Sequence, residues 1–150
     1  MMKNNVLSLS FITDNFNEIL DYELHRASRY KNTVTLMFIK IGQLDNISRN
    51  NGQLAAALIL WEIELLIREN IRNADREFIY GNDEFMVILP HTPKEGASRV
   101  VSKLKQLIEN YPFTNGKESH VSLTPKFGIA SYPHDVQTKK GMINLADNVL

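Results

Sequence analysis

Apolar and polar positions along this chain follow two periods, and their changes mark out a series of elements. Phe16, Ile19, Leu20 and Leu24 share one face of a helix that Asp14 can cap and that runs to about Arg29. Thr33–Ile41 (TVTLMFIKI) is β-branched, aromatic and apolar on both faces, which predicts a central strand. Asp45–Asn50 reads as a short helix or loop ending at the Asn51-Gly52 turn signal. Gln53–Ile71 then reads as a long helix. Leu54, Leu58, Trp61 and Leu65 form an apolar stripe assigned to the core, while Ile59, Ile63, Leu66 and Ile67 fall on other faces. A helix apolar on more than one side is expected to be covered on two, in a core or at an interface.

The pattern shifts to period two at Glu77–Tyr80 and Glu84–Leu89, two strands joined at Gly81-Asn82. Glycine accepts positive φ without a steric penalty, so this is a hairpin signal. Thr92-Pro93-Lys94-Glu95 has the form of a capping box with proline at the first helical position. The helix it opens runs to about Tyr111, with Ala97, Val100, Val101, Leu104, Leu107 and Ile108 inward, and Pro112 and Thr114–Ser119 end it. Lys126–Ser131 is the last core strand, and Pro125 before it implies an edge or a bulge. Met142, Leu145, Ala146 and Val149 begin a final helix that the chain end is expected to truncate. Without the first helix the order is β-α-β-β-α-β, an α+β, ferredoxin-like arrangement with helices on an antiparallel sheet. One domain over residues 1–150 is predicted, because no repeat or linker interrupts it.

Composition narrows the partners. Seventeen Lys and Arg cancel seventeen Asp and Glu, so no overall field recruits nucleic acid or an anionic membrane. There are no cysteines, which removes disulfides and thiol chemistry and fits the cytoplasm. Val6–Ile12 is apolar but too short to span a bilayer and lacks a small-residue cleavage site. His25, His91, His120 and His134 have no metal-ligand spacing, and no Walker loop, G-x-G-x-x-G or G-x-S-x-G is present.

Two polar features flank the second strand: Arg72-Asn73-Ala74-Asp75 before it and Asp83-Glu84 after it. At about 3.3 Å per strand residue they lie roughly 15–20 Å apart. Gly81-Asn82-Asp83-Glu84-Phe85 resembles the GGDEF signature of diguanylate cyclases, and the resemblance runs from about Leu7 to Leu150. Arg26-Ala27, Gly52, EFMVILP, Gly128-Ile129-Ala130, Tyr132-Pro133 and Ala146-Asp147 fall where that family has similar residues. The resemblance implies the ferredoxin-like core of the nucleotidyl-cyclase, or palm, type. It also implies a reaction condensing two GTP molecules into cyclic di-GMP with divalent metals.

The residues that would do this are replaced. Lys40-Ile41-Gly42 stands where the family has a DxD-like metal segment, leaving Asp83 without its partners. Asp45 replaces a phosphate-binding lysine, Ser48 and Ala57 replace guanine-reading residues, and Gln53 replaces a histidine. Asn82 adds a side chain at the second glycine. No catalytic residue and no magnesium site are therefore expected, and Lys40 is expected to pair with Asp83, the alternative being a solvated polar hairpin tip at Asp83-Glu84.

Arg72 and Asp75 match the RxxD of the family's inhibitory site, which binds cyclic di-GMP. A guanidinium suits guanine O6 and N7, and a carboxylate suits N1–H and N2–H. Arg99 and Lys103, on one helical face, are candidates for the phosphates, with Lys103 where the family supplies an arginine. An inactive GGDEF-type receptor for cyclic di-GMP is the expected function, bridging two copies or a neighbouring signalling domain. The alternatives are a dimerisation module without nucleotide binding and, third, an active cyclase.

Overall fold

A computed structural model describes residues 2–81, 83–114 and 120–148, with side chains from Asn15 onward. The order is α1 (Met2–Tyr30), β1 (Val34–Lys40), α2 (Gln43–Asn51), α3 (Gln53–Glu69), β2 (Arg76–Tyr80), β3 (Glu84–Pro90), α4 (Lys94–Asn110), β4 (Phe113–Thr114), β5 (His120–Val121), β6 (Lys126–Tyr132) and α5 (Lys139–Asn148). The main sheet runs β2-β3-β1-β6 with antiparallel neighbours, and β4 and β5 form a separate pair. The ferredoxin-like order expected from the sequence is therefore present. β1 is central and buried nearly throughout, whereas β6, after Pro125, is an edge strand.

Each face of the sheet carries its own core, as alternation along a strand requires. Met37, Ile39, Phe85, Val87 and Leu89 pack on one face against Leu44 and Ile47 of α2, Ile59, Ile63 and Ile67 of α3, and Leu104 and Ile108 of α4. Leu36, Phe38, Phe78, Met86 and Ile88 pack on the other against Phe16 and Leu20 of α1 and Met142 and Ala146 of α5. Among the described residues, no helix is long and apolar enough to cross a membrane.

Three local readings change. Asp14 lies inside α1, which starts at Met2, so the cap expected at Asp14 is not at a helix start. In α3 the row that faces the sheet is Ile59, Ile63 and Ile67, and the stripe assigned to the core points outward. Leu54, Leu58 and Trp61 are 74%, 54% and 56% exposed. Periodicity identifies apolar rows but not which one meets the sheet; here the isoleucine row packs against Met37, Ile39, Phe85 and Val87. The capping box is not formed either. Pro93 occupies the N-cap of α4 without a side-chain cap, since the Thr92 hydroxyl is engaged elsewhere.

Gly81 opens the β2–β3 turn at φ +69°, and Gly52 separates α2 from α3 at φ +91°, both left-handed values that favour glycine. Asn82, most of Thr114–Ser119 and Val149 lie outside the described residues.

Glu77 on β2 faces the α3 side of the sheet, opposite Val87, and neither of its buried carboxylate oxygens has a hydrogen-bond partner. Burial, helped by the nearby charge of Glu64 and opposed by Arg68, pushes its pKa from 4.5 up to about 8. The fold thus holds a proton that the unfolded chain has already released over that range. Stability is unaffected below about 4.5, falls as pH rises towards 8, and is flat beyond. Glu77→Gln is expected to exceed the parent by about 1–2 kcal/mol at about pH 8.5 and to match it at about pH 4, read from urea unfolding midpoints.

Candidate functional site

At the tip of the hairpin, the start of α2 and the first two turns of α3 enclose an open cleft of about 830 Å³. Its lining brings together Lys40, Gly42, Asp45, Ser48, Gln53, Ala57 and Asp83, positions scattered over three elements and a turn, with Leu54, Ala56 and Leu60 as apolar wall. The turn is docked by the Ile41 N–H, which donates to the Asp83 carbonyl at 2.7 Å. Gly52 allows α3 to leave α2 at the angle that opens the cleft, and its own N–H donates to the Ser48 carbonyl at 3.0 Å.

The charges of this cleft are mixed. Asp45 pairs with Arg49 one turn along α2, in solvent. Lys40 and Asp83 share the cleft but form no ion pair within 4 Å, contrary to expectation. Strand register is the reason: Lys40 lies directly across from Glu84. Burial raises the pKa of Glu84, as does the nearby Asp147, and Lys40 opposes the shift. Glu84 lines a second cavity of about 230 Å³ with Asn17, Tyr80 and Asp147, on the α1/α5 side. Phe85, next along, is fully buried on the opposite face. Among the described residues, no group of three or more His, Cys, Asp or Glu could hold a metal ion.

At the other end of the hairpin, residues 72–75 form a tight turn closed in both directions. The Asp75 N–H donates to the Arg72 carbonyl at 3.0 Å, and the Arg72 N–H donates to Asp75 Oδ2 at 2.8 Å. The Asp75 side chain is 3% exposed and also accepts from Arg72 Nε at 3.3 Å and Nη2 at 2.8 Å. Nη2 donates further to the Pro90 carbonyl and to Thr92 Oγ1, each at 2.7 Å. The hydrogen bond with Asp75 raises the Arg72 pKa above its ordinary value. The Arg72 side chain remains 55% exposed, and Nη1 makes no hydrogen bond to a described residue. In this conformation both carboxylate oxygens of Asp75 serve Arg72 rather than facing outward. Arg99 and Lys103 are exposed on α4 and make no ion pair with a described residue.

The chain matches the diguanylate cyclase GGDEF domain family over residues 13–150. It belongs to the GGDEF domain family. It is 28% identical to diguanylate cyclase A of Treponema denticola over 130 residues, which are 86% of this chain and 34% of that protein. The chain thus spans about a third of that relative's length. The GGDEF domain of TpbB (YfiN) from Pseudomonas aeruginosa superposes with a TM-score of 0.84 at 27% identity, covering 89% of this chain and 78% of that one. The GGDEF domain of DgcB from Caulobacter crescentus, solved with c-di-GMP, gives a TM-score of 0.79 at 15% identity, a likeness of fold alone; it covers 89% of this chain and 78% of that one.

Within this GGDEF domain, Thr92 and the Pro90 carbonyl belong to the Arg72 site and escaped sequence reasoning, which read Thr92 as a helix cap. The Pro-x-Thr spacing at a strand end was the available signal, but it carries no long-range information. Because Asp75 is enclosed and the Asp45–Arg49 pair is solvated, the two arginines differ in weight. Arg72→Ala is expected to destabilise by about 2–3 kcal/mol, leaving a buried carboxylate without its cation. Arg49→Ala is expected to change stability by no more than about 0.5 kcal/mol, both measured by urea unfolding.

Proposed function

We propose that this GGDEF domain is catalytically inactive and acts as a receptor for cyclic di-GMP through Arg72. The reading rests on one contrast between the ends of the hairpin. At the tip, an ammonium and a hydrogen, those of Lys40 and Gly42, stand beside Asp83, a donor set that does not fit divalent cations carrying a triphosphate. Asp45, paired with Arg49, offers no cation where phosphate would approach. At the far end, Arg72 is fixed by an enclosed carboxylate while its outer nitrogen stays open to solvent.

Guanine O6 and N7 are acceptors that an exposed guanidinium suits, and the phosphates of a cyclic dinucleotide suit Arg99 and Lys103. Asp75 holds the guanidinium, and accepts from guanine N1–H and N2–H if ligand opens the ion pair. The DgcB domain, solved with c-di-GMP, lends support through its shared fold. Calorimetry with cyclic di-GMP tests the reading. Micromolar binding is expected for the parent and at least about tenfold weaker binding for Arg72→Lys, which keeps a cation beside Asp75 but removes the outer nitrogen. Incubation with GTP and magnesium is expected to give no cyclic dinucleotide on chromatography. Product formation, or binding indifferent to the substitution, sinks the proposal.

The row of Leu54, Leu58 and Trp61, exposed on α3 and continued by the half-buried Leu65, favours a second reading, a self-association module. Leu54, Leu58, Trp61 and Leu65 are spaced four, three and four apart, the pattern of a coiled-coil seam. Antiparallel pairing with a second copy sets Leu58 against Trp61, and places Glu62 and Glu64 beside Ala55 and Ala57 rather than beside each other. A parallel pair would bring Glu64 against Glu69. Light scattering is expected to show a concentration-dependent dimer that Trp61→Glu abolishes; a monomer at every concentration excludes this reading.

A further inference from the structure

Thr92 sits at the junction of β3 and α4, is buried, and makes no cap for the helix that follows it. Its hydroxyl donates to the Pro90 carbonyl at 2.9 Å, so its lone pairs face Arg72, whose Nη2 donates to it at 2.7 Å. Asp75 accepts from Nε and from one Nη2 hydrogen, and the other Nη2 hydrogen is shared between the Pro90 carbonyl and Thr92 Oγ1. The guanidinium plane is therefore fixed along one edge, and the two N–H groups of Nη1 are what remains for a ligand. A side chain with the rotamer freedom of arginine loses less entropy on binding when it is held this way beforehand.

We infer that Thr92 is the positioning residue of the Arg72 site, holding the guanidinium so that Nη1 alone meets one acceptor of the ligand, guanine O6 or a phosphate oxygen. This rests on the reading of Arg72 as the ligand-binding residue. Thr92 does not touch the ligand; it acts through Nη2. Thr92→Val keeps the shape and removes the acceptor, whereas Thr92→Ser keeps the acceptor and removes a methyl group.

Two measurements on the intact chain test this. In calorimetry with cyclic di-GMP, Thr92→Val is expected to bind about tenfold more weakly than the parent and Thr92→Ser to come within about threefold of it. In NMR spectra without ligand, the Arg72 Nε–H resonance, assigned by its loss in Arg72→Lys, is expected to exchange faster with water in Thr92→Val and normally in Thr92→Ser. Thr92→Ala serves the same comparison if Thr92→Val does not fold. Unchanged affinity in Thr92→Val overturns the inference, as does an unchanged Arg72 resonance. If the parent binds no cyclic di-GMP but the Arg72 resonance still loses protection in Thr92→Val, the receptor reading fails while the positioning role stands.

Discussion

Polar residues buried as a whole have to find partners, and in this domain they do so in one connected chain of hydrogen bonds, whereas the part-buried Glu77 carboxyl has none. Among the described residues, the buried polar side chains are Thr35, Asp75, Thr92 and Ser131, and all four belong to it. Thr35 Oγ1 donates to the Thr92 carbonyl at 2.7 Å, so the 2.7 Å contact between the Thr35 and Ser131 hydroxyls must have Ser131 as donor. The Ser131 N–H in turn donates to Asp135 at 3.0 Å, and Lys94 on α4 reaches the same carboxylate at 3.5 Å. The chain crosses β6, β1 and the β3–α4 junction before ending at the 72–75 turn. Arg72 is thus held by the same bonds that fasten one end of the sheet, and its site is inseparable from the core.

The hairpin tip is organised differently. There the walls are apolar, the backbone sets the opening, and the charged groups are held loosely. Alternation along β1 and β3 sends Lys40 towards Glu84, while the Ile41 N–H fastens the turn through the Asp83 carbonyl rather than its side chain. Substitutions that would wreck a tightly bonded site can accumulate here without disturbing the fold. Rigid anchoring at one end and looser charged groups at the other distinguish the two polar features of the hairpin.

The strands of the main sheet and their order were legible because buried β-structure writes itself into local composition: TVTLMFIKI could hardly be anything but central, whereas the two-residue β4 and β5 were not legible. The 72–75 turn and the tip residues were legible as types and spacings, and the fold gathers the latter into one cleft. What the sequence hid were choices between local partners and distant ones. Thr92 had a helix N-terminus beside it and Arg72 twenty residues away, and the distant charged donor won. α3 offered two apolar rows, and only the packing of the sheet selects the isoleucines. Lys40 had two carboxylates within reach, and strand register, invisible in a one-dimensional pattern, placed it opposite Glu84.

The cleft at the tip keeps about 830 Å³ of room because helices and a glycine break define it, not the groups that line it. Its shape is set by the backbone and its chemistry by the side chains that line it. For inhibitor discovery against GGDEF domains, that separation is a source of selectivity. A compound chosen for volume alone ignores the mixed charges of Lys40, Asp83 and Asp45, which suit a zwitterion. Counter-screening against this domain would reveal how far a candidate depends on the charges of Lys40, Asp83 and Asp45 rather than on the hollow alone.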